Sequence, residues 1–140
     1  MTKLHPFLRF NDGQCREAME FYKGMFGGKV EYMTLGESPM AKDSPKEQYG
    51  LIMHSELSSG AVVFYGSDMF RDRAVKGDQV GMALNCASEA ELNEHFAKLS
   101  DGGDVFMKPE KQFWGGIFAV VTDKYGVEWM LNYQVEPMKK

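Results

Sequence analysis

Apolar and polar residues mix along KLHPFLRF (3–10), then switch to helical spacing in NDGQCREAMEFYKGMFGG, where Ala18, Phe21, Tyr22, Met25 and Phe26 recur. The first stretch predicts a strand and the second an amphipathic helix. Asn11 or Asp12 stands where a helix start is capped, and Gly27 and Gly28 where a helix ends. KVEYMTLG (29–36) predicts a second strand. A polar segment with prolines, GESPMAKDSPKEQ, leads to a third strand, YGLIMHSEL, and the turn SSG opens into a fourth, AVVFYG (61–66), making a hairpin.

After the loop SDMFRDRAVKGD the series starts again. QVGMALNCA (79–87) predicts a strand, and SEAELNEHFAKLSDGG a helix opened by a capping box, Ser88 with Glu91, and burying Leu92, Phe96 and Leu99. DVFMKP, GGIFAVVT and VEWMLNY predict three more strands, the last two joined by the turn DKYG. Even the helix exits rhyme, FGGKV at 26–30 and DGGDV at 101–105. A repeat of this length decides the fold. The expected class is α+β, tandem β-α-β-β-β modules with sheets curled into a cup and helices outside. The expected organisation is a single domain, 1–140, made of two modules at about 1–68 and 78–136.

One such module has a helix on only one face of its sheet. The second copy is expected to cover the other face or to help enclose a cup for a ligand. Strand parity then sorts the residues. With Leu51, Met53 and Leu57 toward the helix, Ile52, His54 and Glu56 face the cup. In the first strand His5, Phe7 and Arg9 are the cup candidates. In the fifth, Val80, Met82, Leu84 and Cys86 read as core, leaving Gln79, Gly81, Ala83 and Asn85 inside. In the last, Val127, Trp129, Leu131 and Tyr133 read as core, with Glu128, Met130 and Asn132 inside.

Composition narrows the function classes. The 140 residues are 44% hydrophobic and 26% charged, as in an ordinary globular domain. A net charge of −4 and a pI near 5.4 lack the basic footprint of a nucleic-acid binder. No apolar run reaches a membrane span and no signal-peptide pattern opens the chain, so a cytoplasmic protein with no membrane partner is expected. Cys15 and Cys86 share no motif and read as small core hydrophobes rather than a catalytic thiol.

The cup candidates carry the chemistry. His54 and Glu56, two apart on one strand, can converge on one ion or one substrate proton. With His5 they make two imidazoles and a carboxylate, a set used by non-haem iron. Alternatively His54 and Glu56 pair with each other or with Arg9. Arg9 can hold an anionic group through its planar fork or simply neutralise Glu56. Trp114 stands either at the cup mouth or in plain packing, and His95 at the edge of a buried helix stripe. Several of the eleven methionines can line an adaptable pocket, and the loop at 36–48 is a candidate lid.

The tandem arrangement resembles the vicinal-oxygen-chelate superfamily of glyoxalase I, bleomycin resistance proteins and extradiol dioxygenases. LRFNDGQCREAMEFYKGMFGG, IMHSEL, FWGG and VTDKYGVEWMLN are similar to its PhnB-like branch. The resemblance implies one metal ligand from each of four strands, falling here on His5, Glu56, Gly81 and Met130. Gly81 has no ligating side chain, and Met130 is a poor partner for a hard divalent ion. The tentative metal set is therefore His5, Glu56 and His54, with a divalent metal implied but only half supplied with ligands. Two functions follow from the resemblance. One is a metal-dependent lyase, isomerase or dioxygenase in which Glu56 and His54 are catalytic. The other is a metal-free protein that binds or sequesters a small molecule, as bleomycin-resistance members do. In both, Arg9, Phe7, Asn85, Trp114, Glu128, Met130 and Asn132 would contact the ligand. No Gly-rich strand-to-helix turn is present, so no nucleotide cofactor is expected. The resemblance also implies a homodimer.

Overall fold

Two copies of one topology make up the chain. The structure, a computed structural model, describes residues 1–60, 62–68 and 73–135. Ala61, the expected start of the fourth strand, and residues 69–72 of the second loop lie outside the described residues. The chain divides into two compact units, Met1–Val75 and Lys76–Lys140.

The first unit contains β1 (Phe7–Arg9), α1 (Cys15–Phe26), β2 (Lys29–Thr34), β3 (Ile52–Ser59) and β4 (Val62–Ser67). Its sheet has the order β1-β4-β3-β2, with β1 parallel to β4 and the other pairs antiparallel. The second contains β5 (Met82–Asn85), α2 (Glu89–Ser100), β6 (Asp104–Lys111), β7 (Gly116–Thr122) and β8 (Glu128–Gln134). Its order, β5-β8-β7-β6, repeats the first. The α+β tandem expected from the sequence is thus the architecture observed.

Hydrogen bonds align the two copies residue by residue. Phe10 N–H donates to the Ser67 carbonyl (3.0 Å), and Cys86 N–H donates to the Asn132 carbonyl (2.7 Å). Phe10 is therefore equivalent to Cys86, and Ser67 to Asn132. Counting back along the paired strands makes His5 equivalent to Gly81, Phe7 to Ala83 and Tyr65 to Met130.

Each helix buries one stripe on its own sheet. From α1 these are Cys15, Ala18, Met19, Tyr22 and Met25, with Tyr22 edge-on to Phe64 at 5.5 Å. From α2 they are Leu92 and Leu99, and the helix packs on β7 and β8, where Ala119, Val121, Trp129 and Leu131 are buried. Burying a large apolar side chain of this kind stabilises by about 1.5–3 kcal/mol.

Four expectations change. First, α1 is not capped by Asn11 or Asp12. Asn11 instead exchanges hydrogen bonds with the Ala74 backbone (2.8 and 3.0 Å), and Asp12 pairs with Arg73 (2.9 Å). The cap comes from Asp68, whose carboxylate accepts from Cys15 N–H and Ile52 N–H, both at 2.8 Å. Second, Ile52 is buried in the core rather than on the face of His54. Met33 pairs with His54 but Thr34 with Ile52, so Met53 is an extra, unpaired residue and the parity flips there. Third, Val80 is exposed, not core, because β5 begins only at Met82. Its partner would be Val127, whose carbonyl and N–H are both taken by Asp123 in the turn. Fourth, the candidate lid is wound into three short 3-10 turns and held by its own bonds, Tyr49 hydroxyl to the Ala41 carbonyl among them (2.9 Å).

Candidate functional site

On the first sheet the face away from α1 carries a cluster of rings. Gly66 lies toward the helix, since a Cβ there would approach Met19 Sδ to 2.9 Å, so its neighbour Tyr65 points the other way. Tyr65 meets His5 edge-on at 5.5 Å and His54 at 5.3 Å. Phe7 closes the group, 6.4 Å from His54 and 6.5 Å from Tyr65. Glu56 is the Cα partner of Tyr65, half-buried, and among the described residues it has no hydrogen-bond or ion-pair partner. Arg9 follows Phe7 on the same face of β1 and is exposed. His5, Phe7, His54 and Glu56 are thus brought to one face, and Arg9 borders them.

Tyr65 sits at the centre of this group, although sequence reasoning passed over it. The signal was available. AVVFYG alternates, and the SSG turn sets Tyr65 beside Glu56 once Phe64 is assigned to the core.

The second sheet is furnished differently on the equivalent face. Trp114 Nε1–H donates to Asn132 Oδ1 (3.3 Å), and its ring meets Phe118 edge-on at 5.5 Å. Gln134 Nε2–H donates to the Trp114 carbonyl (2.8 Å), fixing the segment from behind. Gly116 makes this possible, because a Cβ there would stand 2.6 Å from Trp114 Nε1 and 2.7 Å from Asn132 Oδ1. With its oxygen engaged, the Asn132 amide keeps its N–H groups to donate. Asn85 and Phe118 are both Cα partners of Asn132, and Met130 and Glu128 follow along β8 on the same side. Five predicted ligand contacts, Asn85, Trp114, Glu128, Met130 and Asn132, therefore share a face. Phe118 was the residue missed.

Does the donor set suit a divalent metal? Among the described residues no three His, Cys, Asp or Glu side chains are gathered to hold one. In the second unit a Cβ on Gly81 would lie 2.9 Å from Met130 Cε, so the thioether methyl fills the space a ligand at 81 would need. The repeat register adds a mismatch. Met130 corresponds to Tyr65 on β4, whereas Glu56 on β3 corresponds to Val120. As placed within each unit, these residues do not fit the implied metal site.

Neither cysteine belongs to this site. Burial pushes the Cys15 thiol up to about 11, partly offset by its contact with Ser55 Oγ (3.5 Å). Burial, aided by Glu91, pushes Cys86 up to about 11 as well. At pH 7 an aromatic disulfide reagent is expected to modify neither thiol in the folded protein and both in urea. Unfolded thiols ionise near 9.0, before the folded ones, so stability is full below that pH and falls as pH rises toward 11. Rapid labelling of the native protein at pH 7 would refute both statements.

Comparison with known proteins follows the same lines. The family model described as Glyoxalase/Bleomycin resistance protein/Dioxygenase superfamily matches residues 3–131. A crystal structure of protein PA1353 from Pseudomonas aeruginosa is 35% identical, covers 96% of this chain and 98% of its own, and superposes with a TM-score of 0.81. A PhnB protein from Bacillus cereus is 26% identical, with coverages of 94% and 99% and a TM-score of 0.76. Protein YjdN of Escherichia coli (strain K12) is 28% identical over 138 residues, 92% of this chain and 93% of its own. Among the described residues no helix is long and apolar enough to cross a membrane.

Proposed function

This chain belongs to the Glyoxalase/Bleomycin resistance protein/Dioxygenase superfamily, and from that premise we propose that it is a metal-free protein binding a small molecule on the helix-free faces of its sheets. The observation that carries this reading is the Gly81–Met130 pair. Where the superfamily resemblance implies two ligands, one side chain is absent and the other, a thioether methyl, packs into its place. What remains on these faces is suited to binding. Rings and methionine supply apolar contact, and a few amide and carboxylate groups orient the ligand. Association as a homodimer belongs to the same reading.

A second reading, a metal-dependent lyase, isomerase or dioxygenase, is favoured by one observation: His5, His54 and Glu56 do share a face around Tyr65. In that case Glu56 is the base and His54 its neighbouring proton carrier.

One pair of measurements separates the two. Protein purified without chelator is expected to carry substoichiometric metal, and apoprotein to show no saturable binding of iron, manganese, nickel or zinc. The uncharged ring compound N-phenyl-1-naphthylamine is expected to bind and to change the Trp114 emission, a response that Trp114→Phe removes while the buried Trp129 persists. Stoichiometric metal lost in both Glu56→Gln and His5→Ala would overturn the binder and support the enzyme.

A further inference from the structure

Each helix-free face carries a carboxylate, Glu56 or Glu128, that has no hydrogen-bond or ion-pair partner among the described residues, and Glu56 stands beside rings. On the first sheet Glu56 lies between Tyr65 on β4 and Glu31 on β2, its two Cα partners. Glu31 is tied to Lys29 at 3.2 Å. Glu56 has no such partner among the described residues. Like charges directly across a strand pair repel, so a face that keeps both gains from a cation between its rings. The second sheet has a similar carboxylate, though its rings stand by Asn132, four residues or about 13 Å along β8. Glu128 Oε1 stands 3.2 Å from the position of a Cβ on Gly81, alongside Met130. It likewise lacks a hydrogen-bond or ion-pair partner among the described residues, and Trp114 and Phe118 lie farther along the face.

The chemistry selects the kind of cation. A small hard ion would need several oxygen ligands around it, and no such group is gathered among the described residues. A large, weakly hydrated cation instead takes its stabilisation from ring faces, tryptophan and tyrosine best, with a carboxylate at second distance. The thioether of Met130 suits the apolar shell of such a group and not a hydrated ion. Two positive side chains stand on the first face among the described residues: Lys29, already paired with Glu31 at 3.2 Å, and Arg9. Arg9 stands at the far side of Phe7 from His5, on the row that leads through Ser67 to His54, whereas Glu56 is in register with Tyr65 and Phe7 at the centre of the ring cluster.

We propose that the ligand of these faces is an organic cation, a protonated amine or quaternary ammonium on an apolar body. The proposal rests on the small-molecule reading above and adds the sign of the ligand's charge. Its test uses three soluble probes: choline, its uncharged isostere 3,3-dimethylbutan-1-ol, and benzoate. Binding is followed by NMR shifts of the His5 and His54 ring protons and by Trp114 fluorescence. Choline is expected to bind about tenfold more tightly than the alcohol. Glu56→Gln and Glu128→Gln are each expected to reduce that ratio toward one. Equal affinity for the alcohol, or tighter binding of benzoate, overturns the cation and leaves the small-molecule reading intact. If none of the three binds, and N-phenyl-1-naphthylamine does not bind either, both fall.

Discussion

Asp123→Ala is expected to lower the unfolding free energy by about 4 kcal/mol. The carboxylate is almost wholly buried, and the hydrogen bonds it accepts include those from Tyr125 N–H at 2.9 Å, Val127 N–H at 3.1 Å and the Trp129 indole N–H at 2.8 Å. Removing it strands these donors, the indole N–H buried and the two backbone N–H groups partly so, and a buried donor left without a partner costs about 1–3 kcal/mol. Water entering the vacated space recovers part of that, hence a figure below the sum. The loss is a large share of a total of about 5–15 kcal/mol, so a drop in Tm of roughly 10 °C should accompany it.

Asp123→Asn separates the turn from the indole. Its single carbonyl oxygen can still accept from both backbone N–H groups, while its amide N–H2 would face the Trp129 N–H, donor against donor. It should cost about half as much, and Trp129→Phe should cost less in the Asn background than in the native one. A Tm for Asp123→Ala within a degree or two of the parent would remove Asp123 from the account of β8. The consequence reaches the candidate site, because Trp129 anchors the core side of β8 while Glu128 and Met130 stand on its other side.

What could be read in the sequence was local. The capping of α2 is an example, since Ser88 and Glu91 are three apart and their bond forms as expected (Glu91 N–H to Ser88 Oγ, 3.1 Å). The Glu91 carboxylate reaches back to Ala87 N–H (3.4 Å), one residue earlier than a capping box predicts. Parity along β8 likewise placed Glu128, Met130 and Asn132 together, because that strand is regular. Long-range choices were not legible. Asp68 caps a helix that begins 53 residues before it, which no window around Cys15 contains. The bulge at Met53 is decided by how β2 and the Asp68 carboxylate hold the start of β3, so the turnover of Ile52 into the core left no trace in the alternation itself. Tyr65 was passed over for a related reason. Its role comes from cross-strand neighbours, Glu56 and Phe7, and a scan for ligating residue types along single strands does not weigh them.

The rhyme FGGKV and DGGDV carries the second large effect, because its later glycines do the same work in both copies. A Cβ on Gly28 would overlap the Ser58 carbonyl oxygen, and one on Gly103 would overlap the Thr122 carbonyl oxygen. Those two carbonyls are themselves equivalent, since Ser58 pairs with Val63 as Thr122 pairs with Glu128. In each unit the chain leaving the helix therefore passes against the same backbone atom of the sheet, and a side chain would wedge the two apart. Backbone atoms cannot rotate out of the way, so Gly103→Ala should cost about 3 kcal/mol. Gly28→Ala should cost more, because its φ of 79° adds left-handed strain of about 1–2 kcal/mol to the overlap. Gly27 is the control: its φ of 73° with ψ of −156° is a conformation that favours glycine, but nothing lies within 4 Å of its Cβ position, so Gly27→Ala should show backbone strain alone, about 1–3 kcal/mol. Denaturant midpoints should therefore fall in the order Gly27→Ala least, then Gly103→Ala, then Gly28→Ala. Equal losses at Gly27 and Gly28 would mean that backbone conformation, not the close approach to Ser58, is what the glycine pair supplies.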